Sequence, residues 1–219
     1  LARLGEEKKM VATWHAYQEK FPQEPLQRQV VEEMAWGVLQ KAALSSSFII
    51  RQMALIAALL TQDVKGIEIL YRGMQDSNYA IRATAVELAG QLPDAKLMDR
   101  MQLLFKQEKR WPVKKKVIAA VGTMKIKTLK PQLLAFIADP SSLAEERMLA
   151  IHALLKIQDF LERKEELALV TSSRSGLRLL ACQAIMHFES MRDLDQLVLL
   201  CKDFNAEVRA AALQAIGLL

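Results

Sequence analysis

Histidines, cysteines and clustered carboxylates are the side chains from which a soluble chain builds a metal or catalytic centre, and here they are sparse and scattered. The three histidines, His15, His152 and His187, lie far apart in sequence, and no HExxH, paired CxxC, GxSxG, GxGxxG or P-loop pattern brings a base, a nucleophile or a phosphate cradle together. The two cysteines, Cys182 and Cys201, fall at apolar positions of helical segments, which makes neither a disulfide framework nor a zinc site. No catalytic residue, metal or cofactor is therefore assigned, and the expectation is a non-enzyme in a reducing, cytoplasmic setting. The chain begins at Leu1 and stops at AIGLL in mid-pattern, so it is expected to be a piece of a longer protein, and a leader upstream stays open.

The residue type that does recur at a fixed spacing is basic. Arg51, Arg82, Lys114, Arg147, Arg178 and Arg209 each follow a short polar turn and precede an alanine-rich run, at separations of 31, 32, 33, 31 and 31. A constant period in the thirties marks a stacked repeat. Three residues after each of these stand Ala54, Ala85, Val117, Ala150, Ala181 and Ala212. Four after come Leu55, Val86, Ile118, Ile151, Cys182 and Leu213. Together with the positions six and seven after, they form one apolar face of a helix, and alanine there lets neighbouring backbones approach closely. Each basic residue sits at the edge of that face, which predicts a structural ladder of hydrogen bonds across the turns.

The unit Thr128 to Ile157, TLKPQLLAFIADPSSLAEERMLAIHALLKI, has Pro131 early in a first helix, Asp139-Pro140 at the turn and Arg147 in a second helix. With the in-register units around it, it resembles a HEAT repeat of the short type, related to the armadillo-type fold. The resemblance covers roughly Leu26 to the C-terminus. It implies an all-α fold: a right-handed α-solenoid (α-α superhelix) of about six stacked two-helix units, approximately 24–60, 63–92, 94–124, 127–157, 159–188 and 191–219. Residues 1–22 would be an N-terminal capping helix, and 1–219 a single domain. It also implies pairing of an acidic turn residue with the basic residue of the second helix, Asp76 with Arg82 and Asp203 with Arg209. Deoxyhypusine hydroxylases of this class carry His-Glu pairs for iron, and no His-Glu dipeptide occurs here. Bilin lyases and alkylpurine DNA glycosylases share such units, and their chemistry stays open, because fold alone does not carry function.

Two surfaces remain as binding candidates. Between Lys106 and Lys130, nine lysines and arginines face Glu108 alone, a local charge of +8, while the whole chain carries +5. This band fits a solvated surface, an acidic segment of a partner protein steered by Lys115 and Lys116, or nucleic acid. On the second helix of each unit, positions one, two, five and nine after the basic residue point away from the apolar face. There stand Met148, Leu149, His152, Leu179, Leu180, Gln183 and His187, with Met53 and Ile56 in the first unit. Apolar residues at such positions predict a concave groove for a partner protein or peptide, unless curvature buries them against adjacent helices. The expected function is a non-catalytic protein-binding scaffold, with nucleic-acid binding through 106–130 as the alternative.

Composition agrees with a helical repeat. Aromatic residues make up 6% and apolar residues 52% of 219, which suits small-residue helix packing better than a sheet core. No uncharged apolar run reaches the length a membrane span needs.

Overall fold

The computed structural model describes residues 6–22, 27–158, 162–188 and 193–219. Among them the chain is all helical. In order the helices are α1 (Glu7–Lys20), α2 (Arg28–Ala43), α3 (Phe48–Thr61), α4 (Val64–Gly73), α5 (Tyr79–Ala89), α6 (Ala95–Gln107) and α7 (Trp111–Thr123). A 3-10 turn (Lys127–Leu129) leads into α8 (Lys130–Ala138), followed by α9 (Ala144–Ile157), α10 (Arg163–Val170), α11 (Ser175–His187), α12 (Leu194–Leu200) and α13 (Ala206–Leu218). The first five residues of the expected capping helix, its junction with the first unit at 23–26, and the first residues of the units expected at 159 and 191 lie outside the described residues.

Short polar lead-ins decide where the helices begin. Asn78 Oδ1 accepts from Ala80 N at 2.9 Å and Asn205 Oδ1 from Glu207 N at 2.9 Å, each satisfying a first-turn donor that the helix itself leaves bare. Asp63 Oδ1 does the same for Lys65 N at the start of α4. Pro112 and Pro131 fall in the first turns of α7 and α8, where a missing N–H costs nothing.

The helices group into two compact units, Leu1–Arg100 and Met101–Leu219, the boundary falling within α6. In the first, α2 packs on α3 and α4 on α5, α3 runs along α5, α2 touches α4, and α1 lies on α2. In the second, α8 packs on α9, α10 on α11 and α12 on α13, while α7 packs on α9 and α11 on α13. Helix α11 also packs on α8 and α9. The alanine-rich register explains the close helix pairs. All six residues three after the basic position are buried, and Gly122 of α7 lies so near α9 that an added Cβ would stand 2.7 Å from Ala153 Cα.

Lysine–glutamate pairs one period apart join first helices of successive pairs. Lys65 Nζ meets Glu33 Oε1 at 2.8 Å, Lys96 bonds Glu68, and in the second unit Lys130 Nζ meets Glu165 Oε1 at 3.4 Å. All are solvent-exposed, so each contributes at most about 1 kcal/mol.

Candidate interaction surface

The basic ladder is structural, and its wiring differs from the expected pairing. Arg82 Nη1 donates to the backbone carbonyls of Asp76 and Ser77 at 2.9 and 3.1 Å, and Arg209 Nη1 to those of Asp203 and Phe204 at 2.8 and 3.1 Å. The carboxylates go elsewhere. Asp76 Oδ2 lies 3.2 Å from Arg51 Nε, and Asp203 receives Arg178 through two bonds, Nε to Oδ2 at 2.5 Å and Nη2 to Oδ1 at 2.9 Å. The expected pairs Asp76–Arg82 and Asp203–Arg209 are therefore corrected. Each arginine holds the carbonyl of its own turn, as Arg51 also does with Ser45 O and Arg178 with Ser172 O, and two of them, Arg51 and Arg178, reach forward to the aspartate of the next turn.

That shift follows from geometry. One guanidinium nitrogen is spent on the carbonyl six residues back, so its remaining donors face the following helix pair, where a turn aspartate can meet them in a planar fork. At Arg147 the acid is missing, because Ser172 occupies the turn. Arg147 Nη2 still holds Ser142 O at 3.0 Å, and Nη1 finds Glu207 Oε2 of α13 at 3.4 Å instead. Lys114, the one lysine in the series, lays its Nζ 5.3 Å from the Phe136 ring centroid. Hydrogen bonds from Arg178 hold the Asp203 carboxyl below its ordinary value, against the opposing effect of burial, with Asn205 N–H adding to the lowering.

The basic band is partly occupied by the same packing. Lys115 Nζ bonds Glu145 Oε1 at 2.8 Å and Lys130 pairs with Glu165, while Lys116 is half-buried and also has a partner. Lys106, Lys109 and Lys127 are exposed, and their ammonium groups pair with no acid among the described residues, Lys109 meeting Glu108 only through its backbone N–H. Of the expected apolar anchors, Met148 and Leu149 on α9 are half-buried and His152 is exposed. On α11, Leu179 and Leu180 are 7% and 1% exposed and Gln183 is buried, so the expectation that these three line an open surface is overturned. His187 is exposed, its ring edge-on to Phe188 with centroids 4.9 Å apart.

The cause of that burial is a close approach. Gly176, in the first turn of α11, sits against the end of α8 with the Ile137 carbonyl where a Cβ would be, and α11 is thereby covered by α8 and α9 as well as by α13. A helical wheel shows which face opposes the seam between second helices. It does not show that another helix crosses that face too.

Apolar side chains do stand open on α3. Ile49, Met53, Ile56 and Leu60 are spaced 4, 3 and 4 residues apart, so they form one line along the helix, and they are 65%, 62%, 43% and 76% exposed. Only Arg51, Gln52 and Thr61 of α3 are polar. A helix apolar on nearly every side is ordinarily a buried one. Ala54, Leu55 and Ala58 are its buried edge, and Gln52 bonds Thr84 of α5 at 3.2 Å. Sequence reasoning flagged Met53 and Ile56 but passed over Ile49 and Leu60; the near-absence of polar residues in FIIRQMALIAALLT was the available signal.

No family model and no curated protein matches the chain.

Nothing in the described residues assembles reactive groups. Cys182 is buried with its Sγ 3.9 Å from Val208 O, and burial, aided by the Asp203 charge, pushes its thiol up to about 12, far from a reactive thiolate. Among the described residues no group of three or more His, Cys, Asp or Glu is placed to hold a metal ion. No described helix is long and apolar enough to cross a membrane. A cleft of about 600 Å³ between α1 and α2 is lined by Met10, Trp14, Tyr17, Val30 and Met34, and its one acid, Glu33, is bonded to Lys65.

Proposed function

We propose that the chain is a HEAT-like α-solenoid that acts as a non-catalytic scaffold and binds a partner protein through α3. The observation that carries this is the open line Ile49, Met53, Ile56 and Leu60. The eleven helical steps from Ile49 to Leu60 span about 16 Å, the length over which an amphipathic helix of a partner presents three or four anchors. Methionine at its centre adapts to the partner's shape. Solvated apolar stripes of this kind are uncommon on surfaces that meet only water. Met148 and Leu149 contribute only their exposed parts, and Leu179, Leu180 and Gln183 belong to the core.

Nucleic acid is the less favoured ligand, since a phosphate backbone calls for cations from several successive units and here two of the band's lysines, Lys115 and Lys130, are bonded to glutamates. A labelled duplex titrated at low salt is expected to show no binding.

The test uses the pair Met53→Asp and Ile56→Asp. Both side chains are already open to solvent, so the circular-dichroism spectrum and the melting temperature are expected to stay close to those of the parent. Proteins retained by the parent on affinity capture from its native source should be lost. An identical retained set for the double variant rejects α3 as the contact face.

A further inference from the structure

The outer face of α13 carries, at matching positions, features by which other helices of its series receive the next helix pair, and there they are unmet. The residue four after the basic position is 2% exposed at Leu55 and fully buried at Val86, Ile118, Ile151 and Cys182, yet Leu213 is 61% exposed. The residue eight after is Gly122 in α7, pressed against Ala153, and Gly217 in α13, around which an added Cβ would meet nothing within 4 Å. The basic residue itself holds a following aspartate at Arg51 and at Arg178. Arg209 spends Nη1 on its own turn, and its Nε and Nη2 hydrogen-bond no group among the described residues.

Three different properties of one face, an apolar socket, a bare close-approach site and an open guanidinium fork, thus call for the same thing. We propose that α13 docks a further helical hairpin of the kind formed by α4 and α5, with an aspartate in its turn that takes the Arg209 fork. The α4–α5 hairpin shows the fit, because it packs on α3, whose basic residue and fourth residue are Arg and Leu as in α13. Asp76 of its turn meets Arg51, and Gly73 of its first helix makes room for Leu55, whose Cδ2 would stand 2.6 Å from a Cβ there.

A second copy of the chain, added head to tail, would not satisfy the fork. Its first turn carries Ser45-Ser46-Ser47 where the aspartate is required. A hairpin with a turn aspartate closes the fork, whereas a second copy would leave it without its acid, as Ser172 leaves that of Arg147 to find Glu207.

The experiment extends the full chain after Leu219 with a copy of Gln62–Leu92, which continues the 31-residue register. The added segment is expected to be helical by circular dichroism, the melting temperature to rise, and amide exchange across α13 to slow by about tenfold or more. Replacing the second copy of Asp76 by Asn should weaken the protection, and Leu213→Asp should abolish it while the unextended chain carrying Leu213→Asp melts like its parent. An added segment that stays unstructured, or protection indifferent to Leu213→Asp, overturns the proposal. So does concentration-dependent dimerisation of the unextended chain that Leu213→Asp removes, since that makes a second copy the occupant. None of these outcomes depends on α3, so this inference and the α3 contact face fail independently.

Discussion

Arg178→Ala is expected to destabilise the chain by about 3–5 kcal/mol in urea unfolding followed by circular dichroism, the cost of stranding a buried carboxylate. The side chains of Arg178 and Asp203 are 6% and 5% exposed, and their two parallel bonds link α11 to the turn before α13. Removing the guanidinium also frees Ser172 O and takes the cation from over the Phe204 ring, whose centroid lies 4.5 Å from Arg178 Cζ. The contrast is Lys115→Ala, whose partner Glu145 is well exposed, with an expected loss of about 1 kcal/mol or less. Adding Asp203→Asn to Arg178→Ala should restore part of the loss, because the amide still accepts from Asn205 N–H and leaves no charge buried. If Arg178→Ala costs no more than Lys115→Ala, the forward-reaching ladder is not what joins α11 to α13.

The same pair makes stability depend on pH on the acid side. Asp203 is held below its ordinary value chiefly by Arg178, so the native state binds its proton less readily than the unfolded chain does. Its contribution is present above the unfolded carboxyl value of about 4 and is lost as pH falls through the lower folded one. Between neutral pH and about pH 5 this group should leave stability flat, with the decline setting in below. In Arg178→Ala the buried carboxyl has lost the partner that favours its charged form, and the decline should begin at higher pH. Parallel curves for parent and variant would show that Asp203 is not the titrating group.

How far the sequence carries can be traced through particular residues. Ala85 and its five counterparts are buried as the 31-residue register requires, since one apolar position per turn at constant offset admits no other helical face. The ends of α5 and α13 follow from Asn78 and Asn205, whose short amides satisfy local donors wherever they stand before an apolar run. The ladder was legible as a position and not as a partnership. An arginine six residues past a turn can reach either the carbonyl or the carboxylate of that turn, and only the folded arrangement shows that the carbonyl takes one nitrogen and leaves the fork for the following pair. The open surface was legible at Met53 and Ile56, which stay exposed among the described residues, and misplaced at Leu179 and Leu180, whose periodicity is the same. What separates the two cases is Gly176, a residue that carries no hydrophobic signal of its own.

Gly176→Ala therefore has an expected sign opposite to the one local preference gives. Alanine is favoured over glycine inside a helix by about 1 kcal/mol, and it narrows the unfolded ensemble as well. Against this, the new methyl would stand 2.0 Å from the Ile137 carbonyl oxygen and 3.0 Å from Arg147 Cδ. The first of these is backbone at the end of α8 and cannot turn aside, so α11 must move off α8, opening the layer that buries Leu179, Leu180 and Gln183 and disturbing Arg147 in its contact with Ser142 O. Overpacking costs about 1–3 kcal/mol, and a backbone clash this close belongs at the upper end, which outweighs the propensity gain. For a chain of this length the melting temperature should drop by several degrees, at roughly 2–4 °C per kcal/mol. Gly217→Ala isolates the two effects, because it is the same substitution within a helix where nothing lies within 4 Å, and it should leave stability unchanged or raise it slightly. Opposite signs for the two substitutions tie the burial of the α11 face to one close approach between helices; a stabilising Gly176→Ala would mean that α11 can stand clear of α8, and that Leu179 and Leu180 are covered for some other reason.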